Sequence, residues 1–153
     1  MKLGFQQQRG TAIVEFAIVL PLLLILIIGI VEFGFIFYDQ AMVTNASREG
    51  ARTGIVFNTD GNGNFSPVSD STIADRVETY LLDNLISLGD STAQFSLDPA
   101  PQRVPNPSTG QLSPGGTLTV TVRYPYTFLV LPRFVADVTG QINLTARTVM
   151  RFE

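Results

Sequence analysis

Neither cysteine nor histidine occurs anywhere in the sequence. The absence of thiols removes disulfides, thiolate nucleophiles and thiolate metal sites. The absence of imidazole removes the only side chain that ordinarily titrates near neutral pH. Lysine occurs once, at Lys2, so Schiff-base chemistry would have to run from the extreme N-terminus. Charge is scarce as well: 15% of the 153 residues are charged, against about 25% in ordinary soluble domains. The net charge of −3 lacks the basic excess of a nucleic-acid-binding chain. Of the acids Asp60, Asp70, Asp75, Asp83, Asp90 and Asp98, most fall on turns or on the wet face of a helix. No pair of them is set out as an acid–base dyad. These absences predict a protein that is not an enzyme, with no cofactor, no metal, no nucleic-acid partner and no small-molecule substrate.

What the chain has in quantity is apolar length. Phe16 to Val31 is an unbroken run of sixteen apolar, glycine or proline residues, and it extends from Thr11 to Tyr38 if Glu15 and Glu32 are allowed as interruptions. At ~1.5 Å per residue such a helix reaches roughly 42 Å, more than a hydrocarbon core of ~30 Å requires. Lys2 and Arg9 precede the run, and Asp39 is the first charge after it. This bias predicts a single-pass topology with the N-terminus in the cytoplasm and the bulk of the chain outside. A secretory signal peptide would have an apolar region of about 7–15 residues and a small-residue cleavage site. Here the run is longer, and the bulky stretch from Glu32 to Tyr38 follows it.

Within the run, Gly10 is followed by Thr11-Ala12-Ile13-Val14-Glu15-Phe16. A carboxylate inside a membrane helix is costly, by about 2.5–3.5 kcal/mol at the bilayer centre and less toward the ends. If the chain were cut after Gly10, Thr11 would carry a free amine and Glu15 would lie one turn away, near the positive end of the helix dipole. In a stack of such helices the Glu15 carboxylate of one subunit neutralises the Thr11 amine of the next, which fixes register. Two plainer roles stay open: Gly10 as a helix-start residue, and Glu15 as a carboxylate snorkelling to the interface. Glu32, 17 residues further on, lies roughly 25 Å along the helix, near the opposite membrane surface, where an interfacial acid is expected. Pro21 is either a bend that eases packing or a harmless kink.

Gly10 with Thr11 to Glu15 resembles the processing site of class III, type IV pilin-like signals. The stretch Arg9-Gly10-Thr11-Ala12-Ile13-Val14-Glu15-Phe16-Ala17-Ile18-Val19-Leu20-Pro21, with Gly29-Ile30-Val31-Glu32-Phe33-Gly34 and Asn45-Ala46-Ser47-Arg48-Glu49-Gly50-Ala51-Arg52, is similar to the TadE-like family. Members of that family are pseudopilins of the Flp-type tight-adherence pilus system. The resemblance covers residues 9–54. Two departures from the major Flp pilins, Phe16 in place of tyrosine and a much greater length, favour a minor, pseudopilin-type subunit. The resemblance implies processing by prepilin peptidase at Gly10, Thr11 and Glu15, and methylation of the new terminus. It also implies location in a bacterial inner membrane and a role in pilus assembly and adhesion. The implied partners are the membrane, the peptidase, other pilin or pseudopilin subunits and the assembly machinery. An uncleaved, membrane-tethered binding module is the alternative.

Beyond Tyr38 the helical pattern continues to about Phe57. Ala46, Gly50 and Gly54 recur every fourth residue, a spacing that lets another backbone approach closely. The partner is either the chain's own head or a neighbouring subunit. Glu49 is placed to pair with Arg52. The stretch from Asn58 to Asp70 faintly resembles a calcium loop, but Ser69 stands where the closing carboxylate belongs, so a connector is expected.

Residues 71–88 read as an amphipathic helix, with Thr72 and Asp75 as a capping box, Ile73, Val77, Leu81, Leu85 and Leu88 as its apolar face, and Gly89 as its stop. Alternation then predicts strands near Phe95–Leu97, from Thr117 to Tyr124 and from Ile142 to Phe152. Pro99 to Gly116 is expected to be a loop. Pro125 to Pro132 is read as an edge strand or a hydrophobic surface.

The predicted fold class is α+β and type IV pilin-like: a long N-terminal transmembrane helix, a second helix and a small antiparallel sheet. The predicted organisation is a leader at 1–10, a membrane helix at 11–38, its continuation packed on the head at 39–57, and an extracytoplasmic head at 58–153.

Overall fold

The computed structural model describes residues 4–59, 65–86, 94–130 and 142–152. The first helix, α1, runs Gly4–Gly54 without interruption over 51 residues. Leucine and isoleucine dominate its apolar stretch, and Pro21 sits inside it, removing one backbone donor. The helix ends slightly before the expected Phe57, because Phe57 is taken into strand β1 (Phe57–Thr59). There its ring lies 5.1 Å from that of Phe152. β1 pairs antiparallel with β2 (Phe65–Pro67). Residues 60–64, the middle of the stretch compared with a calcium loop, lie outside the described residues. Asp70 at its end is engaged by Arg103.

The second helix, α2, spans Asp70–Asn84 and starts one residue earlier than expected. Its N-cap is Ser69, not Thr72: the Ser69 backbone is extended and its Oγ accepts the Thr72 N–H at 3.2 Å. The Thr72–Asp75 spacing falls inside the first turns, while Ser69 supplies the acceptor that the open N–H groups need. Ile73, Val77 and Leu81 form the buried face. Leu85 closes the helix, its N–H donating to the Leu81 carbonyl. Leu88 and Gly89 lie outside the described residues.

The main sheet is built around β5 (Thr117–Tyr126). β6 (Ile142–Arg151) pairs with it antiparallel along its whole length, from Thr117 opposite Arg151 to Tyr126 opposite Ile142. Two short strands, β3 (Ser96–Leu97) and β4 (Gln102–Val104), lie one after the other along the opposite edge of β5. β4 falls inside the stretch expected to be all loop. Its three residues are too few to show alternation, yet they complete the ladder on the free edge of β5. The one-sided pattern expected of β5 is also softened: Thr119 and Thr121 are only 7% exposed, because β5 is paired on both edges. Pro125 is not on an edge strand; it sits within β5 opposite Asn143. Leu131 and Pro132 lie outside the described residues.

The second half of α1 and α2 form one layer and the sheet forms the other. Val43, Ala46 and Ala51 meet Ile73, Val77 and Leu81 on one side and Leu118, Val120, Val122 and Ala146 on the other. The class is α+β. β5 runs antiparallel to α1, with Leu118 beside Gly54, Val120 beside Gly50 and Tyr126 bonded to Glu32. One end of the sheet therefore lies far along the helix, and the other reaches back toward its apolar half.

Candidate functional site

Two regions of α1 carry the features singled out in the sequence. The first is the apolar stretch. Gly10 lies within the helix, and Thr11 to Val19 are all exposed, Glu15 included. Exposure of large apolar side chains persists from Ile13 to Val31. Among the described residues, one helical stretch, Thr11–Gly54, is long and apolar enough to cross a membrane, and none of its most apolar window is buried in the protein. Glu15 sits about one turn from Thr11 on this uncovered surface, the relation that the spacing implied.

The second region is the seam between α1 and the head. Ala46 and Gly50 are buried, and Gly54 faces the same way. A Cβ at Gly50 would lie 2.6 Å from Val77 Cγ2 and 3.5 Å from Val120 Cγ1. At Gly54 it would meet Leu118 Cδ2 and Ile73 Cδ1. The small residues thus receive the side chains of α2 and β5, and the partner of this stripe is the chain's own head. Gly29 and Gly34, by contrast, have open space where a Cβ would go.

Polar groups fasten the same seam. Ser47 Oγ lies 2.7 Å from Thr148 Oγ1, and Gln40 Nε2 donates to the Thr145 carbonyl at 3.1 Å. Glu49 pairs with Arg76 of α2 at 2.7 Å and not with Arg52 as expected, since α2 brings a guanidinium across the helix pair. Arg103 joins β4 to the start of α2, pairing with Asp70 and donating to the Val68 carbonyl at 2.8 Å.

Two acids on α1 were not recognised as part of this seam. Glu32, expected at the membrane surface as an interfacial acid, is 1% exposed. Its Oε1 accepts the Tyr126 hydroxyl at 2.7 Å and the Leu129 N–H at 2.8 Å, and its Oε2 accepts the Val130 N–H at 2.8 Å. Asp39, seven residues on and fully buried, accepts the Ile86 N–H at 3.2 Å through Oδ1. Its Oδ2 has no hydrogen-bond partner among the described residues. Burial pushes the Asp39 carboxyl above its ordinary range, partly opposed by the Ile86 N–H. Burial, and then the Asp39 charge, raise the Tyr124 hydroxyl. Burial together with the Glu32 bond raises that of Tyr126. The signal for both acids was present in the sequence as a seven-residue spacing, which puts them two turns apart on one face.

Among the described residues, no group of three or more histidine, cysteine, aspartate or glutamate side chains is placed to hold a metal ion. An open depression lined by Glu49, Arg52, Thr53, Val56, Val68 and Thr72 lies between α1 and the start of α2.

No curated protein and no solved structure matches the chain. Residues 10–52 match the model of the TadE-like protein family, so the apolar stretch of α1 and most of its seam with the head form a TadE-like segment.

Proposed function

We propose that this chain is a minor pilin or pseudopilin of a Flp/Tad-type pilus system, acting structurally and not as an enzyme. In this reading it enters a bacterial inner membrane with its N-terminus in the cytoplasm and its head outside. Prepilin peptidase removes residues 1–10, which takes away Lys2 and Arg9 and shifts the side-chain charge from −3 to −5. The new Thr11 amine and the Glu15 carboxylate then set register between neighbouring subunits as the protein takes part in pilus biogenesis, and a surface-attachment role follows from the filament.

The observation that supports this reading is the division of α1. Its first half presents apolar side chains and Glu15 outward, whereas its second half is occupied by the head. A helix that served only to organise the head would have no use for the uncovered half. The family match spans both halves.

Intact-mass measurement of the protein extracted from its native membrane tests the proposal. A chain beginning at Thr11, with or without an added methyl group, is expected. A chain beginning at Met1 in cells with an active prepilin peptidase would leave an uncleaved, membrane-tethered binding module as the working description.

A further inference from the structure

β5 descends along α1 as the helix rises, so its end at Tyr126 is the part of the sheet nearest the uncovered apolar stretch. Immediately beyond it, Thr127 to Val130 fold against α1 at the level of Glu32. Phe128 lies edge-on to Tyr126, with ring centroids 6.0 Å apart, and Val130 is 39% exposed. Below this level the twenty-one residues Thr11–Val31 span roughly 31 Å at ~1.5 Å each, the thickness of a hydrocarbon core. The stretch from Glu32 to Asp39 adds ~10 Å, enough to cross the roughly 5–8 Å that each headgroup layer adds to the core. Phe33, Phe37 and Tyr38 point outward on the helix within it, as aromatic side chains do at membrane interfaces.

A loop placed at that depth ordinarily suffers from its backbone: N–H groups without water or a partner are costly in an apolar medium. Here two consecutive donors of the turn, Leu129 N–H and Val130 N–H, are bonded to the Glu32 carboxylate at 2.8 Å. The turn thus offers apolar side chains with these two donors already satisfied.

We propose that the turn 127–130 is a lipid-contacting element, with Leu129 and Val130 resting in the boundary between headgroups and acyl chains of the outer leaflet. Glu32 is the residue that makes this placement possible. The occupant is the bilayer and not a second copy, because the surface is continuous with the apolar stretch of α1 and lies where the span ends. The inference rests on the membrane-inserted reading given above.

The chain has no cysteine, so single labels can be introduced without background. The full-length protein carrying Val130→Cys, Ile25→Cys or Val149→Cys is labelled with a nitroxide and reconstituted in phosphatidylcholine–phosphatidylglycerol vesicles. Collisions with oxygen and with a water-soluble nickel chelate are then read by saturation electron paramagnetic resonance. Position 149 is exposed on β6, beside the Thr148 contact to Ser47, roughly 22 Å further along the helix than Glu32. The expected result is loss of nickel collisions and gain of oxygen collisions at 130, as at 25, with the reverse at 149.

A label at 130 as open to nickel as that at 149, with 25 protected, overturns the lipid contact and leaves membrane insertion standing. Nickel access at 25 overturns insertion itself, and the lipid contact with it. Protection at 130 from both reagents that disappears when the protein is diluted in lipid assigns the surface to a second copy and also overturns the proposal.

Discussion

Tyr126 donates its hydroxyl to Glu32 Oε1 over 2.7 Å, joining the end of β5 to a helix residue 94 positions earlier. The bond is buried, and the same carboxylate also holds two backbone donors of the following turn. One side chain therefore fixes where the sheet stops along the helix. Tyr126→Phe keeps the ring against Phe128 and removes a bond to a charged acceptor, which costs about 1.5–3 kcal/mol. Glu32→Ala leaves a hydroxyl and two N–H groups without their acceptor, at about 1–3 kcal/mol for each donor left unsatisfied. Chemical unfolding of the head in detergent, followed by near-ultraviolet circular dichroism, is expected to rank Glu32→Ala well below Tyr126→Phe. Equal losses would show that the two backbone bonds contribute nothing.

The glycines of α1 are expected to divide into two groups. Gly50→Ala and Gly54→Ala drive a methyl group into Val77, Ile73 or Leu118, and overpacking of this kind costs about 1–3 kcal/mol. Helix propensity returns at most ~1 kcal/mol of that, so both variants lose stability, Gly54→Ala more, because two side chains crowd it. Gly29→Ala and Gly34→Ala meet open space and should leave the head unaffected. Thermal unfolding midpoints of the four variants check this ordering.

Asp39 gives the head a pH dependence of defined sign. Burial raises its carboxyl in the folded chain above the ordinary value of 3.8, so the unfolded chain releases this proton first as pH rises. The contribution is most favourable below 3.8 and is lost as pH climbs toward the folded value. Asp39→Asn keeps a carbonyl acceptor for the Ile86 N–H and removes the charge. Denaturation curves collected across the acidic range should therefore be flatter for Asp39→Asn than for the parent chain. Parallel curves would rule out ionisation of Asp39 as the source.

Glu15→Ala removes a carboxylate from the uncovered part of α1, where it adds a membrane penalty below the ~2.5–3.5 kcal/mol of the bilayer centre. Membrane insertion should be unchanged or improved, while recovery of the protein with other pilus subunits falls. Comparing its amount in the membrane fraction with its amount in sheared filaments or crosslinked assemblies separates the two effects. Normal incorporation of the variant would end the charge-pairing role.

Much of the fold was legible because its signals are periodic. The apolar run, the four-residue spacing of Ala46, Gly50 and Gly54, the face formed by Ile73, Val77 and Leu81, and the alternation of Ile142, Leu144 and Ala146 each repeat often enough to stand out. Features that depend on one residue meeting another far away were not legible. Ser69 replaced Thr72 as the cap because the choice turns on local backbone geometry. β4 is too short to alternate. Glu49 found Arg76 only because α2 lies across α1. The partners of Glu32 were not legible either, since nothing in its neighbourhood specifies a strand that arrives 94 residues later.

The packing of β5 and β6 along α1, the first antiparallel to the helix and the second parallel to it, also sets an order of events as the chain is made. Glu32, Gln40 and Ser47 emerge early, but the groups that occupy them are Tyr126, Thr145 and Thr148. The second half of α1 therefore waits with its polar and small-residue face open until nearly every later element has been made. Closing such distant contacts makes completion of the head a late and slow step. A chain stalled before β6 would display a helix face that normally belongs to its own C-terminal strands, which is the form that quality control would meet.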